Sequence, residues 1–260
     1  MSQITVNGIQ TAYDVHGSGE PVLFIHGFPL SRRLWQHMVA PLAGRNTLIM
    51  PDLRGMGQSQ ATSDATMATY ADDLAGLLDA IGQKMPVVVV GLSMGGYVAF
   101  EFFRRHRDRV RGLVFADTKA EADTPEAAKG RHETAAKVMA EGSKVVADAM
   151  TPKLFAKIAP DALVEEWRCI MSATPPMGVA AALKAMAVRP DSTRTLPEIR
   201  VPTLVIVGEE DVITPPASAR TIHAGIATSQ LKTIPDCGHM SPVEKPETIA
   251  RMVGEFLKAC

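Results

Sequence analysis

The sequence predicts an α/β fold: a mostly parallel sheet of eight strands flanked by helices, with one all-helical insertion. Three observations point there. Short Val/Leu/Ile runs without polar alternation recur along the chain, as strands covered on both faces require. Amphipathic helical stretches lie between them, an alternation that right-handed crossovers turn into a layered sheet. From 119 to 196 the alternation stops and only helix-forming runs remain.

The elements follow in order. Ile4–Val6, the pair Asn7-Gly8 and Ile9–Val15 read as a hairpin, because Asn-Gly readily takes the positive φ angles of a type I′ turn. A third strand, Pro21–Ile25, runs into His26-Gly27-Phe28-Pro29. Thr47–Met50 is a strand and Met67–Ile81 an amphipathic helix. Val87–Val90 is a strand followed by the helix Met94–Arg105, and Arg111–Ala116 and Pro202–Val207 are strands. Ser229–Ile234 is the last strand before a closing helix, Glu247–Ala259. Within 119–196 the helical runs are Pro125–Ala140, Asp161–Met171 and Met177–Val188, punctuated by prolines. That segment is expected to cap the strand ends, leaving 1–118 and 197–260 as the core.

Composition removes several function classes. The chain has 260 residues, 46% of them hydrophobic and 21% charged, enough to bury roughly three-quarters of the unfolded surface. With 27 basic and 28 acidic residues the net charge is −1, so no cationic excess exists to hold nucleic acid or an anionic membrane. Apolar runs such as Met85–Val90 fall far short of the roughly 20 residues that span a bilayer. The first twenty residues include Asp14, His16 and Glu20 and no apolar block, so no signal peptide is expected. Three scattered cysteines (Cys169, Cys237, Cys260) make neither a disulfide framework nor a zinc site. The expectation is a reduced, soluble, cytoplasmic protein.

Chemistry concentrates in four loops. Val87–Val90 feeds Gly91-Leu92-Ser93-Met94-Gly95, and a helix follows at once. Alone, a G-x-S-x-G pattern arises by chance in roughly one chain in a dozen of this length. Between a buried strand and a helix it is the setting of a nucleophile elbow, where a strained turn lifts the serine Oγ above the sheet edge. Gly27 lets the chain turn the N–H of Phe28 towards that serine, and the N–H of Met94 would be a second oxyanion donor. His26 reads as structural, holding this loop. Val205–Gly208 ends in Glu209-Glu210-Asp211, of which Asp211 is the expected partner of a general base. Asp117, at the end of another strand, is its rival. His239, in the loop after the last strand, is the expected base, with a buried carboxylate needed to fix its tautomer.

The order Ser93, Asp211, His239, with His26–Pro29, Asp52–Ser59, Gly91–Gly96 and Gly238-His239, resembles the α/β-hydrolase fold superfamily over essentially the whole chain except the cap. Within it the motifs are similar to carboxylesterases, 3-oxoadipate enol-lactonases and cofactor-free haloperoxidase or perhydrolase-type esterases. Haloalkane dehalogenases share the scaffold but use an aspartate nucleophile, against Ser93. The resemblance implies hydrolysis of small-molecule substrates, small to medium esters or lactones, with no metal and no organic cofactor. Enol-lactonase, perhydrolase and carbon–carbon hydrolase activities are the alternatives, and a non-catalytic receptor is a further one. The pocket is expected between sheet edge and cap, walled by Phe28, Met94, Val212, Ile213 and Met240, with Trp167, Met177 and Met186 from the cap. The 11 basic and 10 acidic residues of 119–196 weigh mildly against a dianionic substrate.

Overall fold

Eight strands form one sheet in the order β1-β2-β4-β3-β5-β6-β7-β8, in a computed structural model that describes residues 2–260. The strands and helices are β1 (Ser2–Val6), β2 (Ile9–His16), β3 (Glu20–Ile25), α1 (Val39–Leu42), β4 (Asn46–Pro51), α2 (Met67–Ala80), β5 (Val87–Leu92), α3 (Met94–Arg105) and β6 (Val110–Ala116). There follow α4 (Pro125–Glu141), α5 (Lys144–Leu154), α6 (Asp161–Ser172), α7 (Pro176–Ala187), β7 (Thr203–Gly208), α8 (Pro216–Gly225), β8 (Ser229–Ile234), α9 (Ser241–Glu244) and α10 (Pro246–Ala259). β1 and β2 make the antiparallel hairpin, with Asn7 and Gly8 at φ 46° and 80°, and β2 runs antiparallel to β4. From β4 to β8 every pairing is parallel.

The absence of polar alternation has a direct packing cause. Val87 and Val89 face one apolar layer, with Leu23, Ile25 and residues of α2 and α3, while Val88 and Val90 face another, with Val22, Phe24 and residues of α10. Both faces of β5 are therefore dry, and all six of its residues are buried.

Four α-helices and no strand connect β6 to β7. α5 is one helix more than the periodicity showed. Its internal Pro152 sits one turn from its end, where it reads in sequence as a breaker. α8, too, escapes the periodic reading; Pro216 opens it at the first helical position. The four-helix segment docks on the loops at the carboxyl ends of the parallel strands. Thr174 Oγ1 donates to Pro29 O at 3.0 Å and the N–H of His239 to Leu154 O at 2.8 Å. No helix among the described residues is long and apolar enough to cross a membrane.

Candidate active site

Because β5, β7 and β8 are parallel neighbours or near neighbours, the loops after them emerge on one edge of the sheet. Ser93 follows β5 directly and adopts φ 55°, ψ −116°, a conformation that costs a non-glycine residue about 1–3 kcal/mol. Its surroundings hold it there. Its N–H donates to Ala116 O at 3.0 Å, and its C=O accepts from Thr118 Oγ1 at 2.7 Å and from the Gly96 N–H at 2.9 Å. A Cβ on Gly95 would sit 2.3 Å from Ile25 O, so only glycine lets α3 start this close to β3.

The acid loop comes from β7. Asp211 is buried, and its Oδ1 accepts the N–H groups of Ile213 and Thr214 at 2.8 and 3.0 Å. Its Oδ2 accepts Thr214 Oγ1 at 2.7 Å and His239 Nδ1 at 2.8 Å. Since a carboxylate only accepts, Nδ1 carries the proton and Nε2 is left to accept from Ser93 Oγ at 2.8 Å. A hydrogen-bonded line thus runs from Asp211 through His239 to Ser93. The two loops meet where a Cβ on Gly208 would lie 2.1 Å from Gly238 O. Thr214 went unnoticed in sequence, although a threonine three residues after an aspartate is the spacing of a local side-chain-to-backbone turn.

Electrostatics follow from this burial. Burial disfavours the charged imidazole of His239, but the charge and hydrogen bond of Asp211, helped by Asp117 and Glu244, outweigh it, so its pKa lies above the ordinary value. Burial likewise pushes the Asp211 carboxyl up, yet the charge of His239 and the bonds from His239 and Thr214 bring it below the usual carboxylate range. Glu244 accepts the N–H groups on either side of His239, those of Gly238 and Met240, each at 3.1 Å, and that of Ala156 at 2.8 Å. It was not singled out in sequence, where it is one more acid at the start of a helix.

The remaining sequence candidates fall into distinct places. The N–H groups of Phe28 and Met94 bond to no other part of the chain among the described residues. A Cβ on Gly27 would lie 3.3 Å from Ser93 Cβ, which sets the Phe28 loop against the serine. His26 uses both ring nitrogens on backbone: Nε2 accepts from Leu53 N–H at 3.0 Å and Nδ1 lies 2.8 Å from Gly27 O. Burial depresses its pKa, as suits a neutral ring with these roles. Asp52 accepts from the backbone and guanidinium of Arg32 and from Gln58 N–H, which makes its loop a scaffold. Glu209 is exposed and Glu210 accepts the Lys157 N–H at 3.1 Å. Asp117 does not touch the imidazole.

Beside Phe28 a cleft of about 520 Å³ opens between the strand ends and the helical segment. Val212 and Ile213 line it from the acid loop. Arg131 and Thr134 of α4, Val146, Met150 and Lys153 of α5, and Leu183 of α7 close the other side. Trp167 and Met240 do not line it; both fill the apolar layer shared with Leu154 and Met171. Met186 is buried in the opposite layer and Met177 is exposed, so neither reaches this cleft. In their place Val146, Met150 and Lys153 of α5 stand beside Leu183 of α7 on that wall. The cleft adjoins the site through Phe28, Val212 and Ile213, while Ser93, Met94, Asp211 and His239 do not line it; hollows of about 800 and 740 Å³ between α1 and α10 include none of these residues.

Residues 20–246 match the family model described as alpha/beta hydrolase fold. The chain belongs to the α/β-hydrolase fold family. Among solved α/β-hydrolase structures, a thermophilic esterase from Thermogutta terrifontis, determined with malate bound, is 42% identical. That likeness covers 99% of this chain and 98% of the other, with a TM-score of 0.96. A bromoperoxidase from Bacillus anthracis is 25% identical, covering 99% and 100%, with a TM-score of 0.86. Among curated α/β-hydrolase relatives, 3-oxoadipate enol-lactonase 1 of Acinetobacter baylyi is 27% identical over 92% of this chain and 88% of its own length.

Proposed function

We propose that this protein is a serine hydrolase that cleaves small to medium carboxylic esters or lactones through an acyl-enzyme on Ser93. The observation that carries the reading is the unbroken line from Asp211 Oδ2 to His239 Nδ1 and from His239 Nε2 to Ser93 Oγ, both at 2.8 Å. In this reading Ser93 Oγ attacks the carbonyl carbon while His239 Nε2 takes its proton. Asp211 holds the imidazole in its tautomer and stabilises the imidazolium. The N–H groups of Phe28 and Met94 bind the oxyanion, since both are unengaged and flank the serine. His239 then returns the proton to the leaving alkoxide, and afterwards activates water to release the acid.

The helical segment acts as a cap that encloses the cleft, and the mostly apolar lining suits an uncharged acyl chain of modest length. The likeness to an esterase and to an enol-lactonase supports an ester or lactone as the class of substrate. Rates on p-nitrophenyl esters of graded acyl length and on a set of lactones test this reading, together with fluorophosphonate labelling. Labelling of Ser93 that disappears in His239→Ala, with turnover of short acyl esters, is expected. Labelling without turnover of any ester or lactone would refute it.

A further inference from the structure

The chemistry assigned to Ser93, His239 and Asp211 leaves a second buried acid unused. Asp117 follows β6, the strand between β5 and β7, and is fully buried. Its φ of 44° puts a non-glycine backbone in the left-handed region, and its N–H is fixed to Ile206 O at 2.9 Å. Its Oδ1 accepts the N–H of Gly208 at 2.9 Å, three residues before Asp211. Its Oδ2 accepts the hydroxyl of Ser241, two residues after His239. One carboxyl therefore ties together the two loops that supply the acid and the imidazole.

Its charged surroundings are sparse. From the loop after β7 it faces Asp211, and from the loop after β8 it faces His239 and the buried thiol of Cys237. From α9 it meets Ser241, which is neutral, while Glu244 of the same turn bonds to Ala156, Gly238 and Met240 instead. Burial first, and then the like charge of Asp211, push the Asp117 carboxyl up to about 7, against the opposing pull of His239, Ser241 and Gly208. The proton it carries is thus exchanged in the neutral range.

Resting on the reading of Ser93 as nucleophile and His239 as its base, we propose that Asp117 is a positioning residue for that pair. It braces their loops from β6, and its charge sets how readily His239 takes up a proton. When Asp117 is ionised it adds to Asp211 and Glu244 in favouring the imidazolium; when it is neutral, that contribution is lost. The charge that Ser93 attack creates on His239 is then less stabilised.

Asp117→Asn keeps the size of the side chain and an acceptor for Gly208 while removing the charge. The acid limb of its kcat/KM profile is expected to move to lower pH by roughly half a unit to one unit. kcat should fall by up to about tenfold, the equivalent of one unit, with fluorophosphonate labelling retained. An acid limb that stays in place, however much activity or Tm is lost, overturns the proposal. Infrared difference spectra of the wild-type protein provide a measurement that needs no folded variant. A protonated-carboxyl stretch should vanish as pH rises through about 7, and its absence at lower pH also overturns the proposal. Ester turnover surviving in Ser93→Ala would instead refute the reading of the nucleophile and leave the titration of Asp117 untouched.

Discussion

The Nε2 of His239 lies 2.8 Å from the Oγ of Ser93, across 146 positions of chain. Nothing local brings them together. Ser93 is held by the end of β5 and His239 by the loop after β8, and each loop is fixed by bonds that do not involve the other. In the proposed reaction such preorganisation would let a proton leave the hydroxyl without rearrangement at the moment of attack.

Removing the nucleophile is the first consequence to check. Ser93→Ala should lower kcat for p-nitrophenyl esters by a factor on the order of 10⁶, judging by serine hydrolases of other folds. The variant should fold about as stably as the wild type, because alanine keeps the Cβ that the turn at φ 55° already accommodates and only the bond to His239 is lost. Steady-state rates and thermal melts decide both parts.

Asp211→Asn replaces an acceptor with an amide that can donate to Nδ1. The imidazole would then turn to the tautomer with Nε2–H, which cannot accept from Ser93. kcat should drop by about 10⁴, with little change in KM. A loss of less than about tenfold would show that another carboxyl, Asp117 being the one at hand, takes over the role.

The pH dependence has opposite signs for activity and stability. His239 has a pKa raised above its ordinary 6.5, and it must be neutral to act as a base, so kcat/KM should rise with pH through that raised value. The same shift means the folded state favours the imidazolium. Its contribution to stability is full below the ordinary value and is lost as pH rises through the raised one. Asp211 works the other way: its lowered pKa contributes stability above the ordinary carboxylate range, which is lost as pH falls through the lowered value. As pH climbs through the raised value, kcat/KM should therefore rise while the contribution of His239 to Tm falls, and His239→Gln should remove that fall.

The four-helix segment is docked so closely that a methyl group cannot be added. A Cβ on Gly178, in α7, would lie 1.8 Å from the carbonyl oxygen of Gly55, in the loop after β4. Gly178→Ala should destabilise by about 1–3 kcal/mol, visible as a fall of roughly 2–4 °C in Tm per kcal/mol. Gly130→Ala is the contrast, since a Cβ there meets nothing within 4 Å and α4 would gain helix propensity. It should stabilise by about 0.5–1 kcal/mol in urea titrations.

The cleft should set acyl-chain length. Leu183 is buried and lines the wall opposite Ile213, so Leu183→Ala lengthens the space without touching the serine or its partners. The ratio of kcat/KM for a longer to a shorter p-nitrophenyl ester should rise by about tenfold, the scale on which one or two methylenes are discriminated in an apolar pocket. An unchanged ratio would move the acyl group elsewhere.

Much of this was legible in the one-dimensional pattern, and the reasons are local. The valines at 87–90 announce a strand buried on both faces because each neighbour in turn faces a different apolar layer. Gly91, Ser93 and Gly95 announce a tight strand-to-helix turn because larger residues would collide with α3 and β3. The hairpin at Asn7-Gly8 follows from two positive φ angles that those residues tolerate. Helix α5 was hidden because its internal proline imitates a break, and α8 because prolines precede it. Those misreadings carried over to the cleft, where Val146, Met150 and Lys153 stand and Trp167 and Met186 do not.

What the sequence determined alone was the set of strands, the tight turn at Ser93 and the order of Ser93, Asp211 and His239 along the chain. Each depends on backbone geometry and burial within a few neighbouring residues. Only the tertiary structure decided which of two acids bonds the imidazole, what the second does, and which side chains wall the cleft. Asp117 and Asp211 both follow strands, and the sequence prefers Asp211 only by its place in the loop after β7. They differ in the partner that the sheet brings to them: Ser241 and Gly208 for one, His239 for the other. Such choices belong to through-space contacts between distant segments, and a periodic pattern of apolar residues carries no record of them.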